Sequence, residues 1–365
     1  MSAEPRVRQV DVLVVGAGPA GLAAAARLAV AGAGRVEVLE REAYAGGVPR
    51  HCAHGGFGTW TRPLNGLEYA RLLTEAALRA GAVVRTGATV LDWAADTGRP
   101  ALEASGSAPE GGFAPHAGAG AADGGLGMPY AGPGADCAVS RPPGLLLTVV
   151  SPRGLETIAA RAVVLATGSR ERPRAARLVP GTRPAGVYTT GELQQAVHLF
   201  GQSIGTRAVV VGAQDVSYAA ADTVRAAGAD VVALVTEQPR AEARPARVHA
   251  ARLRHRIPLL TDTTVTGLLG RGRLSGVGVR HRDGRTATLP CDTVVFTGDF
   301  VAADELARQA GIQLGATPYS SHPGVFAAGA LLLPGRRAGE ADRDGVEAAG
   351  AVLAWLAGGK WPTPS

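Results

Sequence analysis

Lysine is almost missing from this chain: Lys360 is the only one in 365 residues, and arginine supplies nearly all the positive charge. The formal net charge is +6, but the arginines are scattered and no aromatic-rich basic stripe accompanies them. That pattern argues against nucleic acid as a partner. Aromatic residues make up only 4% of the chain, so Val, Leu and Ala must build the core. Cysteine is scarce too. Cys52, Cys137 and Cys291 lie far apart with no C-x-x-C, which excludes a disulfide framework and a redox dithiol by local spacing. His51-Cys52-Ala-His54 holds three potential metal ligands, but no second cluster would complete a tetrahedral site, and no metal is expected. No apolar run is long enough to span a bilayer. The first strand begins within ten residues of the N-terminus, leaving no room for a secretory signal, so a cytoplasmic location is expected. The length suits two ordinary domains.

What is there begins with Gly16-Ala-Gly18-Pro-Ala-Gly21. It follows the apolar run Val10–Val15, which reads as a buried strand, and opens an Ala-rich stretch, Pro19–Ala31, which reads as a helix. A second strand, Val36–Leu39, ends at Glu40, about 20 residues past the last glycine. In this dinucleotide fingerprint Gly16 permits the tight turn and Gly18 lets the backbone approach a pyrophosphate. Gly21 lets helix and strand pack closely, and the helix N-terminus faces the phosphates. Glu40 is placed to accept hydrogen bonds from a ribose diol.

Residues 96–144 are dominated by Gly, Ala, Pro and Ser and bury too little apolar surface to offset their ordering entropy. They are expected to form a disordered insertion, with an inert Cys137 inside it. The flanks, Ala88–Trp93 and Leu145–Val150, read as two strands of one small sheet. A strand at Ala162–Leu165 runs into Ala-Thr-Gly-Ser, and the arginine-rich linker Arg170–Pro184 follows.

A second strand–turn–helix–strand unit then repeats the first: Arg207–Val211, the turn Gly212–Ser217, a helix Tyr218–Ala227, and Val231–Val235 closing on Glu237. Its glycines are broken. Gln214 and Ser217 stand where the second and third glycines belong, and a side chain at Gln214 would sit where a pyrophosphate must approach. NAD(P) binding there is therefore doubtful; if it occurs, Glu237 favours NAD over NADP. A helix is expected around Ala241–His255, a hairpin turn at Asp283-Gly284, a buried strand at Asp292–Phe296 behind a core Cys291, and a final helix at Gly345–Leu356. Thr189 and Glu192 fit a capping box opening a Gly191–Leu199 helix.

These two repeats, each ending at strand-Thr-Gly, and the late Gly324-Val-Phe-Ala-Ala-Gly329 resemble the two-dinucleotide-domain flavoproteins of the pyridine nucleotide-disulfide oxidoreductase superfamily. Gly46-Gly-Val-Pro-Arg-His-Cys52, Gly55-Gly-Phe-Gly58, Arg170-Glu-Arg-Pro-Arg174 and Thr189–Gln195 are similar to the flavoprotein subunits of opine oxidases, hydroxyproline dehydrogenases and hydrogen cyanide synthase. The resemblance implies an α/β fold with two Rossmann-like three-layer domains, the second nested in the first, and small antiparallel β-meanders. The FAD-binding domain would comprise residues 1–178 and 298–365, with a nested NAD(P)-binding-like domain at 179–297.

It further implies that Gly16, Gly18 and Gly21 cradle the FAD pyrophosphate, that Glu40 meets the adenine-side ribose, and that Arg41 lies over the adenine with Val90 at its edge. Gly46, Gly47 and Arg50 would line the flavin side, Gly168 would let the chain pass the cofactor, and Gly329 would approach the ribityl chain. Gly345 and Val346 would aim a helix N-terminus at the flavin N1/O2 edge. Ala330 departs from the family, which has Asp there; losing that charge-assisted hydrogen bond weakens FAD binding by about 1.5–3 kcal/mol.

The function implied is FAD-dependent oxidation of an amine or imino-acid-like small molecule. His54 is a candidate base, and Cys52 a candidate for addition to the flavin. Arg170, Arg172, Arg174, Arg177 and Arg183 are open to binding a carboxylate or an acidic partner, or to solvation. Electrons would leave to oxygen, a quinone, or an electron-accepting or companion flavoprotein subunit. Two alternatives stay open: an NAD(P)H-dependent reductase of a small acceptor, and a non-catalytic flavin-fold partner subunit.

Overall fold

The computed structural model describes residues 7–59, 61–94 and 145–362. The expected insertion and Cys137 lie outside them.

Two open sheets organise the chain, the first mainly parallel and the second wholly so. The first is built on Val7–Val15, whose inner residues Val12, Leu13 and Val14 are fully buried. A strand apolar on both faces belongs inside a parallel sheet with helices above and below. It pairs in parallel with Val36–Leu39 on one side and Gly154–Leu165 on the other. Val83–Arg85 extends one edge in parallel. The long Gly154–Leu165 strand serves two partners on its far side. Its first half pairs antiparallel with Leu145–Ser151, and its last residues pair in parallel with Val325–Ala327. Thr89–Trp93 pairs antiparallel with Leu145–Ser151.

The second sheet orders its parallel strands Val187–Thr189, Thr293–Phe296, Arg207–Val211, Asp230–Val235 and Leu259–Leu260. A three-stranded antiparallel meander, Thr263–Leu269, Gly276–His281 and Thr286–Leu289, packs beside it. The chain passes between the sheets twice, at Ser169–Glu171 and Phe300–Ala302, and these two crossings pair with each other antiparallel.

The helices are α1 (Pro19–Val30), α2 (Gly66–Arg79), α3 (Thr190–Gln194), α4 (Asp215–Ala226), α5 (Pro245–His249), α6 (Glu305–Gln309) and α7 (Ala338–Leu356). Leu22, Ala24, Ala25 and Leu28 of α1 pack with Phe326, Ala348, Ala349 and Val352 into one core cluster. The second core gathers Val210, Tyr218, Val224, Leu234 and Val295. Cys291 is buried beside the second sheet, as its place before an apolar strand suggests.

Three features differ from the sequence reading. Thr89–Trp93 and Leu145–Ser151 do not form a small sheet of their own; they continue the first, seven-stranded sheet through Gly154–Leu165. The helix expected over Ala241–His255 begins only at Pro245, which suits a first helical position, and ends as a π-turn, Ala250–Arg254. The final helix begins at Ala338, seven residues before Gly345. Arg337 N–H donates to the Glu340 carboxylate at 3.2 Å and fixes that start. Gly345 and Val346 are therefore inside the helix and do not form its N-terminus. Gly345 has another job: a Cβ there would lie 2.0 Å from Ala20 O, so its bareness lets α7 cross α1 at contact.

Trp93 lies opposite Leu147, and Ala94 N–H donates to Leu146 O at 2.9 Å. The strands that flank residues 95–144 thus already end side by side. Deleting residues 100–140 should leave FAD content unchanged and the melting temperature equal or slightly higher, because shortening a loop lowers its closure cost by only about 0.6 kcal/mol per halving. Insoluble protein or lost FAD would show that the segment packs on the fold.

Candidate functional site

The glycine turn sits where the first sheet's central strands end. Gly16 takes a φ of +105°, and its N–H donates to Leu39 O at 2.8 Å. A Cβ on Gly21 would lie 1.9 Å from Gly16 O, so helix and turn touch through backbone. Gly18 is the N-cap of α1 and has open space where a Cβ would be. No side chain caps α1, and its first turn carries no acid. The helix therefore presents uncompensated N–H groups and its positive dipole end to open space, the requirement for a phosphate.

Glu40 is buried at the end of its strand. Its carboxylate accepts from Ala17 N–H at 3.0 Å and Glu42 N–H at 2.9 Å. It ties the glycine turn to the following loop and keeps lone pairs for a diol. That loop returns over the turn: a Cβ on Gly47 would lie 2.8 Å from Gly18 Cα. One turn on, Arg50 pairs with Glu42 and lies 5.4 Å from the Tyr44 ring centroid. Its Nε is buried with no hydrogen-bond partner among the described residues. An orphaned buried donor costs about 1–3 kcal/mol, and an acceptor on a bound dinucleotide would satisfy it. Open helix end, bare glycine turn and orphan donor all fit FAD. Of the other expected contacts, Arg41 is exposed, Val90 is half-buried, and Gly168 and Gly329 take φ of +79° and +73°.

The second turn is built differently. Gly212 keeps its positive φ, +125°. Ser217 accepts from Gln214 N–H at 3.1 Å and shares a 2.6 Å bond with Thr297, whose hydroxyl donates to Val211 O. Gln214 Nε2 donates to Glu242 at 3.1 Å, and its Oε1 lies over Gly298. Asp215 stands in the first turn of α4 and pairs with Arg244 at 3.0 Å and Arg337 at 3.1 Å. Where α1 offers bare N–H groups, α4 offers a cap and a carboxylate.

Between the sheets two surfaces face one another and touch at Cys52–Gln194 and His51–Gln195. On one wall are the 3-10 turn Val48–His51 and the hairpin of Gly55–Gly58 with Pro63–Asn65. The other wall is α3 and the π-turn Gln195–Leu199, an irregularity often found at working sites. The capping box expected at Thr189 and Glu192 is formed and starts α3. Half-buried Glu171 accepts from Thr190 Oγ1 at 2.7 Å, Gly191 N–H at 3.2 Å and Gly298 N–H at 2.9 Å, tying α3 to the crossings; desolvation pushes its carboxyl up.

Buried His51 stands between Glu42 at 3.3 Å and Gln195 at 3.4 Å, and burial, opposed by Glu42, lowers its ionisation. Cys52 Sγ donates to Gln194 at 3.3 Å; burial pushes its thiol up to about 12. Such a thiol stays protonated at neutral pH and is a poor nucleophile. His54 is half-buried and stacks on Phe57, which in turn meets Tyr69. Its Nδ1 donates to Gly55 O at 2.7 Å, because a carbonyl can only accept. Nε2 is thus its acceptor. Tyr69 OH donates to Asp342 of α7 at 2.5 Å.

Gln194, Gln195, His198 and the Tyr69–Asp342 pair were not singled out from the sequence. Gln194 and Gln195 close the Thr189–Gln195 stretch that carries the family resemblance, and Gln194 and His198 follow the capping box at helical spacing. The linker arginines serve the fold: Arg174 donates to Val179, Gly181 and Thr182 carbonyls, Arg177 to Gly298 O, Arg170 pairs with Glu305 and Arg172 with Asp299. Arg183 is exposed. Among the described residues no group of His, Cys, Asp and Glu is arranged to hold a metal ion, and no helix is long and apolar enough to cross a membrane.

Comparison with known proteins agrees with this layout. The family described as pyridine nucleotide-disulphide oxidoreductase matches residues 139–348, and the FAD binding domain family matches residues 11–128. Sarcosine oxidase subunit alpha of Rhizobium meliloti (strain 1021) is 30% identical over 154 residues, 42% of this chain and 14% of that protein. The chain therefore matches about a seventh of that relative's length. The fold is shared with thioredoxin reductase of T. acidophilum (TM-score 0.70, 20% identity, 95% of this chain and 98% of that one). It is also shared with L-proline dehydrogenase of P. horikoshii (TM-score 0.62, 15% identity, 98% and 58%).

Proposed function

The chain belongs to the pyridine nucleotide-disulphide oxidoreductase family, whose members are FAD-dependent oxidoreductases, and from that premise we propose that it oxidises an amine or imino acid rather than reducing a disulfide with NAD(P)H. The observation that carries this reading is the second nucleotide turn, filled by Gln214, Ser217 and Asp215. A pyrophosphate there would have to displace Gln214 and face the Asp215 carboxylate at the helix end that should attract it. The cysteine pattern agrees, since Cys52 and Cys291 are buried, free and lodged in different parts of the fold. Two proteins similar in sequence or fold are named for sarcosine and L-proline, both secondary amines with a carboxylate.

In this reading residues 1–178 and 298–365 hold FAD and residues 179–297 form the nested domain. Bound FAD supplies the hydride acceptor. The α1 N-terminus and Gly18 hold the pyrophosphate, Glu40 the adenine-side ribose, and Arg50 lines the flavin side of the cofactor. Arg41 and Val90 flank the adenine; Gly47, Gly168 and Gly329 give the chain room along the cofactor. His54 Nε2 takes the substrate nitrogen's proton, because only a neutral amine has the lone pair that stabilises the cation left by hydride loss. Cys52, held protonated, shapes the junction. A companion subunit would receive the electrons, in keeping with the relative that is itself one subunit of an oxidase.

Anaerobic mixing with a panel of secondary and primary amines tests the reading. At least one should bleach the flavin absorbance. A panel that leaves it oxidised, with bleaching by NADH instead, contradicts the proposal.

A further inference from the structure

Arg247, in α5, has no part in that scheme, yet it reaches the same junction. Its Nη1 donates to Asp215 O at 2.8 Å. Its Nη2 lies toward the hairpin on the opposite wall, where a Cβ on Gly56 would be 3.8 Å away. Arg247 is half-buried and forms no ion pair among the described residues, whereas Arg244 and Arg337 both pair with Asp215. Asp215 feels the charge of Arg244, Arg247 and Arg337 together, and one carboxylate cannot neutralise three guanidinium groups; Arg247 is the one with no carboxylate oxygen within 4 Å among the described residues. A half-buried guanidinium that must share its counter-ion with two others is under-compensated for its desolvation, so the cluster as built favours an incoming anion.

The neighbouring groups narrow the anion. His54 lies on the hairpin beside Gly56. His198 lies on the π-turn of the other wall, where burial first and then the nearness of His54 lower its ionisation. His51, Arg50, Cys52 and Glu42 stand behind them on the loop before the hairpin. The junction thus combines one under-compensated guanidinium with two imidazoles from opposite sides. Guanidinium matches a carboxylate through two parallel N–H bonds, and a neutral imidazole accepts from an N–H.

Resting on the amine-oxidation reading, we propose that Arg247 binds the carboxylate of the substrate between the Gly56 hairpin and α5, so that the enzyme takes amino or imino acids in preference to simple amines. Arg247 is a specificity-determining residue contributed by the nested domain, which in this chain serves the substrate and not a second nucleotide.

The test is a titration of the FAD-loaded protein with pyrrole-2-carboxylate, a planar acid that resists oxidation, read as a shift in the flavin spectrum. Wild type should show a saturable shift. Arg247→Met should raise the dissociation constant about tenfold or more, with Arg247→Lys between the two. Should the Met variant lose FAD, Arg247→Gln, shorter but still polar, carries the same comparison. Pyrrolidine, which lacks the carboxylate, should bleach the flavin equally slowly in wild type and variant. The proposal is overturned by no spectral shift in wild type, by unchanged affinity in a variant with full FAD content, or by inorganic phosphate binding at this residue in preference to carboxylates. The titration needs no turnover, so it stands apart from the amine screen: a protein that binds the acid but is bleached by no amine loses the oxidase reading and keeps Arg247 as a carboxylate site.

Discussion

A Gly21→Ala variant should be purified nearly colourless. Its new methyl group would lie 1.9 Å from Gly16 O, and Gly16 cannot retreat. Its N–H is bonded to Leu39 O, and a Cβ on it would itself be 2.4 Å from Ala166 O. The helix must move off the turn, and the phosphate cradle opens. Overpacking of this kind costs about 1–3 kcal/mol or more, equivalent to roughly a ten- to hundredfold loss of cofactor affinity. The ratio of flavin to protein absorbance measures it, with chromatography of the released cofactor to show that wild type holds FAD and not FMN. Ser217→Ala is the matched control in the second turn. It removes a hydrogen bond to Thr297 and should leave the colour unchanged. Full FAD in Gly21→Ala would mean that the first turn does not hold the cofactor.

The largest loss of stability should follow Glu37→Gln. Glu37 is fully buried in the second strand, and its carboxylate pairs with Arg8, with Arg85 at 3.2 Å and with Arg35 at 3.5 Å. Arg8 and Arg85 also share Glu156, at 3.1 and 2.6 Å. Breaking a buried pair from one side costs about 3–5 kcal/mol because the partner is left charged and unpaired. Arg8 and Arg85 retain some solvent access and keep Glu156, so about 2–4 kcal/mol is expected here. The denaturant midpoint measures it. A shift below about 1 kcal/mol would mean that Arg8 and Arg85 re-pair with Glu156 at little cost.

The parts of the fold legible in the sequence are those whose cause is local. Gly16, Gly18 and Gly21 sit within six residues of one another, and the strand before them and Glu40 after them complete a unit that one stretch of chain specifies. The Thr189–Glu192 box is local too, and α3 starts there. The two helix starts that differ are set locally, by Pro245 and by the Arg337–Glu340 cap, but what a glycine or a histidine is for depends on distant partners. Gly345 was taken for a helix start, but its reason for being glycine is Ala20, more than 300 residues away. In His51-Cys52-Ala-His54 the spacing could not say which histidine is buried; Gln194 and Gln195 from across the junction decide that. Arg247 was hidden for another reason. In a chain whose basic charge is nearly all arginine, no single arginine stands out until its counter-ions are known.

The central claim is that electrons enter from a small amine and not from a pyridine nucleotide. Rapid anaerobic mixing of the FAD-loaded protein with NADH, with NADPH and with the best amine of the panel tests it most directly. The account predicts that neither nucleotide reduces the flavin quickly, and that Gln214→Gly with Ser217→Gly gains little, since Asp215 still stands at the end of α4. Flavin reduction by NADH at tens per second or faster, saturating at micromolar concentration, would contradict it and make the protein a reductase.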